Sequence, residues 1–367
     1  MAEQSKTQAR VSFAALDPFI DTNIVLPKEV KQRGKDMVFW GEKNNYPDYL
    51  LDLYNNVTSL RSIINGTIDF VVGDDVTISK ALQGEDAMNN RGDTIRDLVR
   101  CMAKDYLMYG GFALQVIRGK DLQTISEIYY IDLRYLRSNE ENDVFYYSED
   151  FGKGYTKANK IISYPKFMKD GQHPSSIIFY KNVDTQVYSA PLYAASVKAC
   201  EIERSIDEYH LNSINNGFTG SYVINFNNGV PTDQIKQEVE EAFTSKFTGQ
   251  KNAGRVAFSW NDNKESQTTI QKVELQDFGE KYTALAKHSR QQIFTAFRAT
   301  PNLFGIPTET TGFSEQEFSE AFRLYNRTQV QPIQKVIADA FDKAYGEKGV
   351  LTFVPFSLDG AGEDAVK

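Results

Sequence analysis

The side chains able to do acid–base or metal chemistry are few and scattered. The chain carries 3 histidines, His173, His210 and His288, and no two stand at metal-ligand spacing, so no metal site is assigned. His210 and His288 fall in long helical patterns and read as solvated or interface side chains. The 2 cysteines, Cys101 and Cys200, form no CxxC pair. A disulfide framework is excluded, and a reduced, cytosolic setting follows. The acid pairs Asp74-Asp75 and Glu240-Glu241 suggest two-metal nuclease ligands, but such ligands must converge from several elements. Adjacent acids on a helix face apart, and these read as solvated surface. Gly110-Gly111 lies between a helix and a strand, the reverse of the order that presents a helix N-terminus to phosphate, and reads as a structural turn. There is no nucleotide loop of the GxxxxGK-Ser/Thr type and no GxSxG nucleophile elbow. No catalytic residue and no cofactor is assigned, and the weight moves to a structural or binding role.

The elements around these residues change character half-way. Residues 1–35 give no clear periodicity. From Tyr46 the spacing predicts a helix with Pro47 in its first turn and Leu50, Leu51 and Tyr54 following. A second helix runs from about Ser59 to Val72 and stops at Gly73. A third is capped by Asp93 or Thr94 and ends at Gly110. Strands follow at Phe112–Ile117, Ile125–Leu136, Phe145–Tyr147, Ile161–Tyr164 and Ile177–Tyr180. They are too close together for βαβ crossovers, so this half is α+β.

Pro191 then opens a long helix from about Leu192 to Asn216. Its apolar seam is Ala195, Ala199, Ile202, Ile206 and Tyr209. A small β-α-β insert follows: a strand at Tyr222–Phe226, a helix capped by Thr232 or Asp233, and a strand at Arg255–Trp260. A second long helix, Phe278–Ala299, carries Tyr282, Leu285, Ala286, Ser289, Ile293, Ala296 and Phe297 as its seam. Pro301 and Pro307 bracket a break, the polar segment Thr308, Glu309, Thr310, Thr311 and Gly312 follows, and a helix from Ser314 to Tyr345 kinks at Pro332. Val350–Leu358 is a closing strand. The first seamed helix is net acidic (Glu201, Glu203, Asp207 and Glu208 against Lys198 and Arg204). The second is net basic (Lys281, Lys287, Arg290 and Arg298 against Glu280), which favours pairing within or between subunits. A narrow seam on an elongated helix pair is satisfied by side-by-side packing in a ring, or by an ordinary hairpin in a monomer.

Composition bounds the function. The chain has 367 residues, enough for a real core, and its 20 Tyr and 24 Phe argue against disorder. The net charge is -8 and the pI about 5.2, so any contact with nucleic acid is local or weak. The start, MAEQSKTQARVSF, does not read as a leader. No run of about 18 apolar residues is present, so no membrane span is expected.

Three stretches taken in order resemble the phage portal proteins of the shorter, HK97-type or PBSX-like group. They are DYLMYGGFALQVI with SEIYYIDLRYLR; APLYAASVKACEIERSIDEYHLNSINNGFTGSYVINF; and QQIFTAFRATPNLFGIPTETTGFSEQEFSEAFRLYNRTQVQPIQKVI. The resemblance implies an α+β portal fold. Residues 1–35 form an N-terminal arm, 36–190 a wing, 191–217 and 276–300 the stem helices, and 218–275 the clip. Residues 301–313 are the break and tunnel loop, 314–358 the long kinked helix and closing wing strand, and 359–367 a mobile tail, with the crown absent or vestigial. It further implies a homo-oligomeric ring of twelve subunits at the capsid portal vertex of the virion, assembled in the host bacterial cytoplasm. Such a ring passes double-stranded DNA without sequence specificity in genome packaging and ejection. Its partners are terminase, a head-completion or adaptor protein and the major capsid protein, with no membrane. Ala195, Ala199, Ile202, Ile206, Tyr209, Tyr282, Leu285, Ser289 and Ile293 become the stem interface. Tyr222, Asn227, Asn228 and Trp260 become the clip docking surface, and Thr308–Gly312 the loop facing the DNA channel. The alternatives are another phage head protein, such as an adaptor or minor capsid protein, and a nucleic-acid-processing enzyme. Adaptors are much shorter and lack the central insert, and an enzyme requires a converging acid or histidine cluster.

Overall fold

Apolar periodicity decides the first helices. In the computed structural model α1 spans Tyr46–Asn56, α2 Thr58–Val72 and α3 Ile95–Tyr109. The structure describes residues 27–32, 36–79, 87–152, 160–171, 173–182, 187–215, 221–226, 232–238, 256–260, 269–273, 279–305 and 315–357. Pro47 occupies the first turn of α1, where its missing N–H costs nothing. α2 buries Leu60, Ile63, Ile64, Ile68 and Val71 and stops at Gly73. Thr94 caps α3 as expected. Its hydroxyl accepts from the Asp97 N–H at 3.2 Å while the Asp97 carboxylate accepts from the Thr94 N–H at 2.9 Å. This reciprocal box contributes about 1 kcal/mol. The same Thr94 hydroxyl holds the Asp97 carboxyl below the usual range.

α3 leads through Gly110 into β4 (Gly111–Arg118), the centre of an antiparallel sheet flanked by β5 (Ile125–Ile131) and β9 (Ser175–Lys181). Phe112, Ala113, Leu114 and Val116 are fully buried, which is why this strand reads as a continuous apolar run. A second sheet has the order β1 (Val30–Lys31), β2 (Val38–Phe39), β6 (Leu136–Ser138), β7 (Val144–Tyr147), β8 (Ile162–Pro165), all antiparallel. β3 (Asp75–Ile78) pairs with β13 (Leu351–Val354). The closing strand is thus shorter than expected and ends before Pro355.

Three expectations are corrected. The single strand Ile125–Leu136 is two strands in different sheets. Asp132 accepts from the Arg134 N–H at 2.9 Å and opens a 3-10 turn at Leu133–Tyr135. Arg137, 2% exposed, then holds that turn by donating to the carbonyls of Leu133, Arg134 and Leu136. The helix after Pro191 begins as a 3-10 turn at Ala194–Ser196, and α4 runs Val197–Asn215. The last long helix is not one continuous α-helix. α6 (Glu315–Tyr325) passes into a π turn at Asn326–Val330, and Pro332 sits in the first turn of α7 (Gln331–Tyr345). The Gln331 N–H closes the π turn on the Asn326 carbonyl, and Pro332 follows at a first-turn position where its missing N–H is tolerated.

By contacts the chain divides into Thr22–Glu201 with Ser289–Lys367, and Met1–Asp21 with Ile202–His288. The division falls inside α4 and inside α5 (Gly279–Ala296). In the second unit β10 (Ser221–Phe226) pairs in parallel with β11 (Val256–Trp260). Residues 233–238 are helical, in keeping with the crossover a parallel pair requires. β12 (Thr269–Val273) pairs antiparallel with β10, a strand the sequence reading lacked.

Candidate functional site

α2 receives Phe304 and Tyr325, two aromatic residues from separate elements. Gly66 lies in the middle of this helix, where glycine costs about 1 kcal/mol relative to alanine. The reason is a close approach. A Cβ at Gly66 would lie 2.7 Å from Cδ1 of Phe304, so the Phe304 ring rests directly on the helix backbone. Phe304 ends the 3-10 turn Pro301–Phe304, and Gly305, in the left-handed region at φ 73°, turns the chain away. The Ser62 hydroxyl points at the Phe304 carbonyl at 3.4 Å. Tyr325 ends α6. Its hydroxyl shares a hydrogen bond with the Thr67 hydroxyl at 2.7 Å, and its ring meets that of Phe304 edge-on with centroids 5.6 Å apart. Burial pushes the Tyr325 hydroxyl up to about 12, against the opposing effect of its Thr67 bond, and it stays a neutral phenol. Phe70 joins the cluster, edge-on to Phe304, Phe322, Tyr325 and Phe356. Asn302 Oδ1 is buried here without a hydrogen-bond donor.

These anchors were not singled out from sequence. The available signal was the glycine inside the apolar helical stretch IINGTID together with the aromatic residue before Gly305. The loop residues that were singled out, Thr308, Glu309, Thr310, Thr311 and Gly312, lie outside the described residues.

The proposed stem interface is split. Ala199, Ile206, Ser289 and Ile293 are buried within the chain itself, and Ile202 and Tyr282 are half-buried. Ala195 is exposed, because the 3-10 turn shifts the helical phase and puts Val197 and Cys200 inward instead. Tyr209 and Leu285 are exposed, as are Leu211 and Ile214. Tyr209 stacks on Tyr282 with centroids 4.8 Å apart. Of the clip residues, Asn227 and Asn228 lie outside the described residues. The register sets Tyr222 opposite Val256 and Trp260 opposite Phe226, at opposite ends of one strand pair. His173, His210 and His288 are exposed, and His210 is edge-on to Tyr282.

The buried ionisable groups do structural work. Burial, with the Asp132 charge as second cause, pushes the Asp105 carboxyl well above the usual range. It accepts from the Leu133 N–H at 3.4 Å and so helps fix the turn between β5 and β6. A cleft of about 380 Å³ is lined by Tyr130, Tyr135, Tyr147, Tyr164 and Asp132. Arg134 clamps both oxygens of Asp132, Nη2 to Oδ2 at 2.7 Å. Among the described residues no group of three or more His, Cys, Asp or Glu could hold a metal ion, and no helix is long and apolar enough to cross a membrane.

The chain matches the family model described as phage portal protein over residues 80–362. Solved structures share the fold. A chain from the virion of a native gene transfer agent particle is 15% identical with a TM-score of 0.55, and the match covers 92% of this chain and 87% of that one. A chain from the neck of a native gene transfer agent particle, computed with C12 symmetry, is 16% identical with a TM-score of 0.52, covering 86% of this chain and 85% of that one. The HK97-family phage portal protein from Corynebacterium diphtheriae is 10% identical with a TM-score of 0.53, covering 83% of this chain and 94% of that one. No curated protein matches.

Proposed function

The chain belongs to the phage portal protein family, and from that premise we propose that it forms a homo-oligomeric ring of twelve subunits at the capsid vertex, through which double-stranded DNA enters and leaves. The observation that carries this reading is the placement of exposed apolar side chains. Tyr209, Leu211, Ile214 and Leu285 lie exposed on α4 and α5, whereas the other exposed large apolar side chains among the described residues, Ile162, Met168, Ile235, Leu324 and Val354, are spread singly over other elements. Solvent-facing aromatic and branched residues concentrated on two helices mark a surface that another copy covers. The net charge of -8 suits a conduit, because tight neutralisation of phosphates would brake sliding.

In this reading 306–313 is the channel loop, and the insert 218–275 docks terminase and then an adaptor or head-completion protein. The major capsid protein surrounds the wing. The family is structural, and the protein has no ATPase or nuclease activity of its own. Electron microscopy of the purified full chain tests the ring: rings with a central hole wide enough for duplex DNA are expected. A strictly monomeric protein at high micromolar concentration would falsify the reading. Removing 218–275 entire, so that β12 is not left without β10, should abolish adaptor docking with the wing still folded. Metal-dependent DNA cleavage lost with a single carboxylate substitution would overturn the non-enzymatic assignment.

A further inference from the structure

We propose that Arg61, Asn65 and Lys104 form a contact site for a phosphodiester of duplex DNA, an inference that rests on the reading of the ring as a DNA conduit. The site is one rung of a ladder between two helices. Along α3, Arg96, Arg100 and Lys104 recur every four residues and share a face, as Arg61, Asn65 and Asp69 do along α2. At the first rung Arg96 donates to the carbonyls of Asp74 at 2.8 Å and Gly73 at 3.4 Å, just past the end of α2. At the second, Arg100 donates from both Nη1 and Nη2 to Oδ1 of Asp69 at 2.8 Å. At the third, Asn65 stands where an acid would pair, and its Oδ1 already accepts from the Tyr54 hydroxyl at 2.6 Å. Lys104 lies instead over the Tyr54 ring, its Nζ 5.1 Å from the centroid, and the Arg61 guanidinium lies over the same ring at 5.2 Å. Among the described residues neither cation forms an ion pair.

Two cations held over one ring make a local positive spot on a chain of net charge -8. Their mutual repulsion and the missing carboxylate both favour an incoming anion. Tyr54 is 7% exposed and gives a fixed platform, while Arg61 and Asn65 are exposed and Lys104 is half-buried. With its oxygen engaged, Asn65 keeps its Nδ2 as a donor. A guanidinium, an ammonium and an amide N–H are the donors that hold a DNA backbone without reading its sequence. The face does not suit a protein partner. None of the exposed large apolar side chains among the described residues lies on α1, α2 or α3, so the apolar centre of a protein interface is missing. A polar, cationic surface is the character of a DNA contact. Exposed cations hold an anion weakly and yield it to salt, as a contact on sliding DNA must.

The test measures binding of the full-length protein to a short duplex of mixed sequence, by fluorescence anisotropy over about 50–200 mM salt. Arg61→Gln with Lys104→Gln removes two phosphate contacts. The slope of log binding constant against log salt should shrink by about two. Asn65→Asp puts into the third rung the carboxylate that Asp69 supplies in the second, and should weaken binding although no cation is lost. A control, Lys43→Gln with Lys120→Gln, removes the same charge from two exposed positions elsewhere and should leave the slope unchanged. Negative-stain images of each protein report the rings separately. No salt-dependent binding by the wild type, an unchanged slope in Arg61→Gln with Lys104→Gln, or an equal loss in the control overturns the inference. Rings lost in Arg61→Gln with Lys104→Gln would make the spot a contact between copies and overturn it as well. The conduit reading fails by a different result: a wild type that forms no rings removes it, while the change in slope still decides whether Arg61 and Lys104 hold DNA.

Discussion

α2 and α4 are helices of similar length with opposite fates. α2 is enclosed: Leu60, Ile63, Ile64 and Val71 are fully buried, and even its glycine is covered by a ring. α4 starts the same way, with Val197 and Cys200 buried, but past Ile206 its Tyr209, Leu211 and Ile214 face solvent. The difference teaches that an apolar stripe states only that a face must be covered. In α2 the cover is the same chain; along the open part of α4 we propose that the cover is the neighbouring subunit of the ring.

The comparison can be broken by truncating each region in turn. Ile63→Ala removes a fully buried side chain and should cost about 2–5 kcal/mol of chain stability, read by denaturant unfolding. Leu211→Asp should change chain stability by no more than about 0.5 kcal/mol, because the residue is 59% exposed. The same substitution should abolish or weaken ring assembly, read by sedimentation. If Leu211→Asp instead unfolds the chain, α4 is an internal helix and the contrast with α2 disappears.

A smaller effect concerns the enclosed unit and pH. The Asp105 carboxyl is raised in the fold above its ordinary value of 3.8, chiefly by burial. The folded state therefore binds the proton more tightly than the unfolded one. The associated stability is full below 3.8 and is lost as pH rises towards the raised folded value. Asp105→Asn, neutral at every pH, should flatten that dependence, raising the melting temperature relative to wild type at pH 7 and losing the advantage at pH 4. An equal difference at both pH values would show that Asp105 is ionised in the fold. The smallest effect belongs to a local feature: Thr94→Ala should cost about 1 kcal/mol by removing the cap of α3, with ring assembly unchanged.

Much of this architecture was legible because it is local. Pro47 in a first turn, the Thr94 cap, the stops at Gly73 and Gly110 and the unbroken apolar run of β4 are each set by a few adjacent residues. The misreadings have a common cause, a non-local or compensating contact. The pattern from Ile125 to Leu136 alternates well enough for one strand. It splits because Arg137 finds carbonyls to bind in the fold, including that of Asn44 at 2.9 Å. Thr269–Val273 was invisible in a polar stretch because its strand character comes from pairing with β10. The π turn before Pro332 was likewise not readable from the proline alone.

The sequence by itself determined the helices, their caps, the α+β class and the absence of any local catalytic motif, since each follows from propensity and spacing along the chain. Only the tertiary structure decided which faces are closed and which stay open, and why Gly66 is a glycine. Ser62 and Phe304 are 242 positions apart and meet on one helix turn. An amphipathic pattern encodes that a side chain must leave water, but the identity of the surface that receives it is a property of the whole fold.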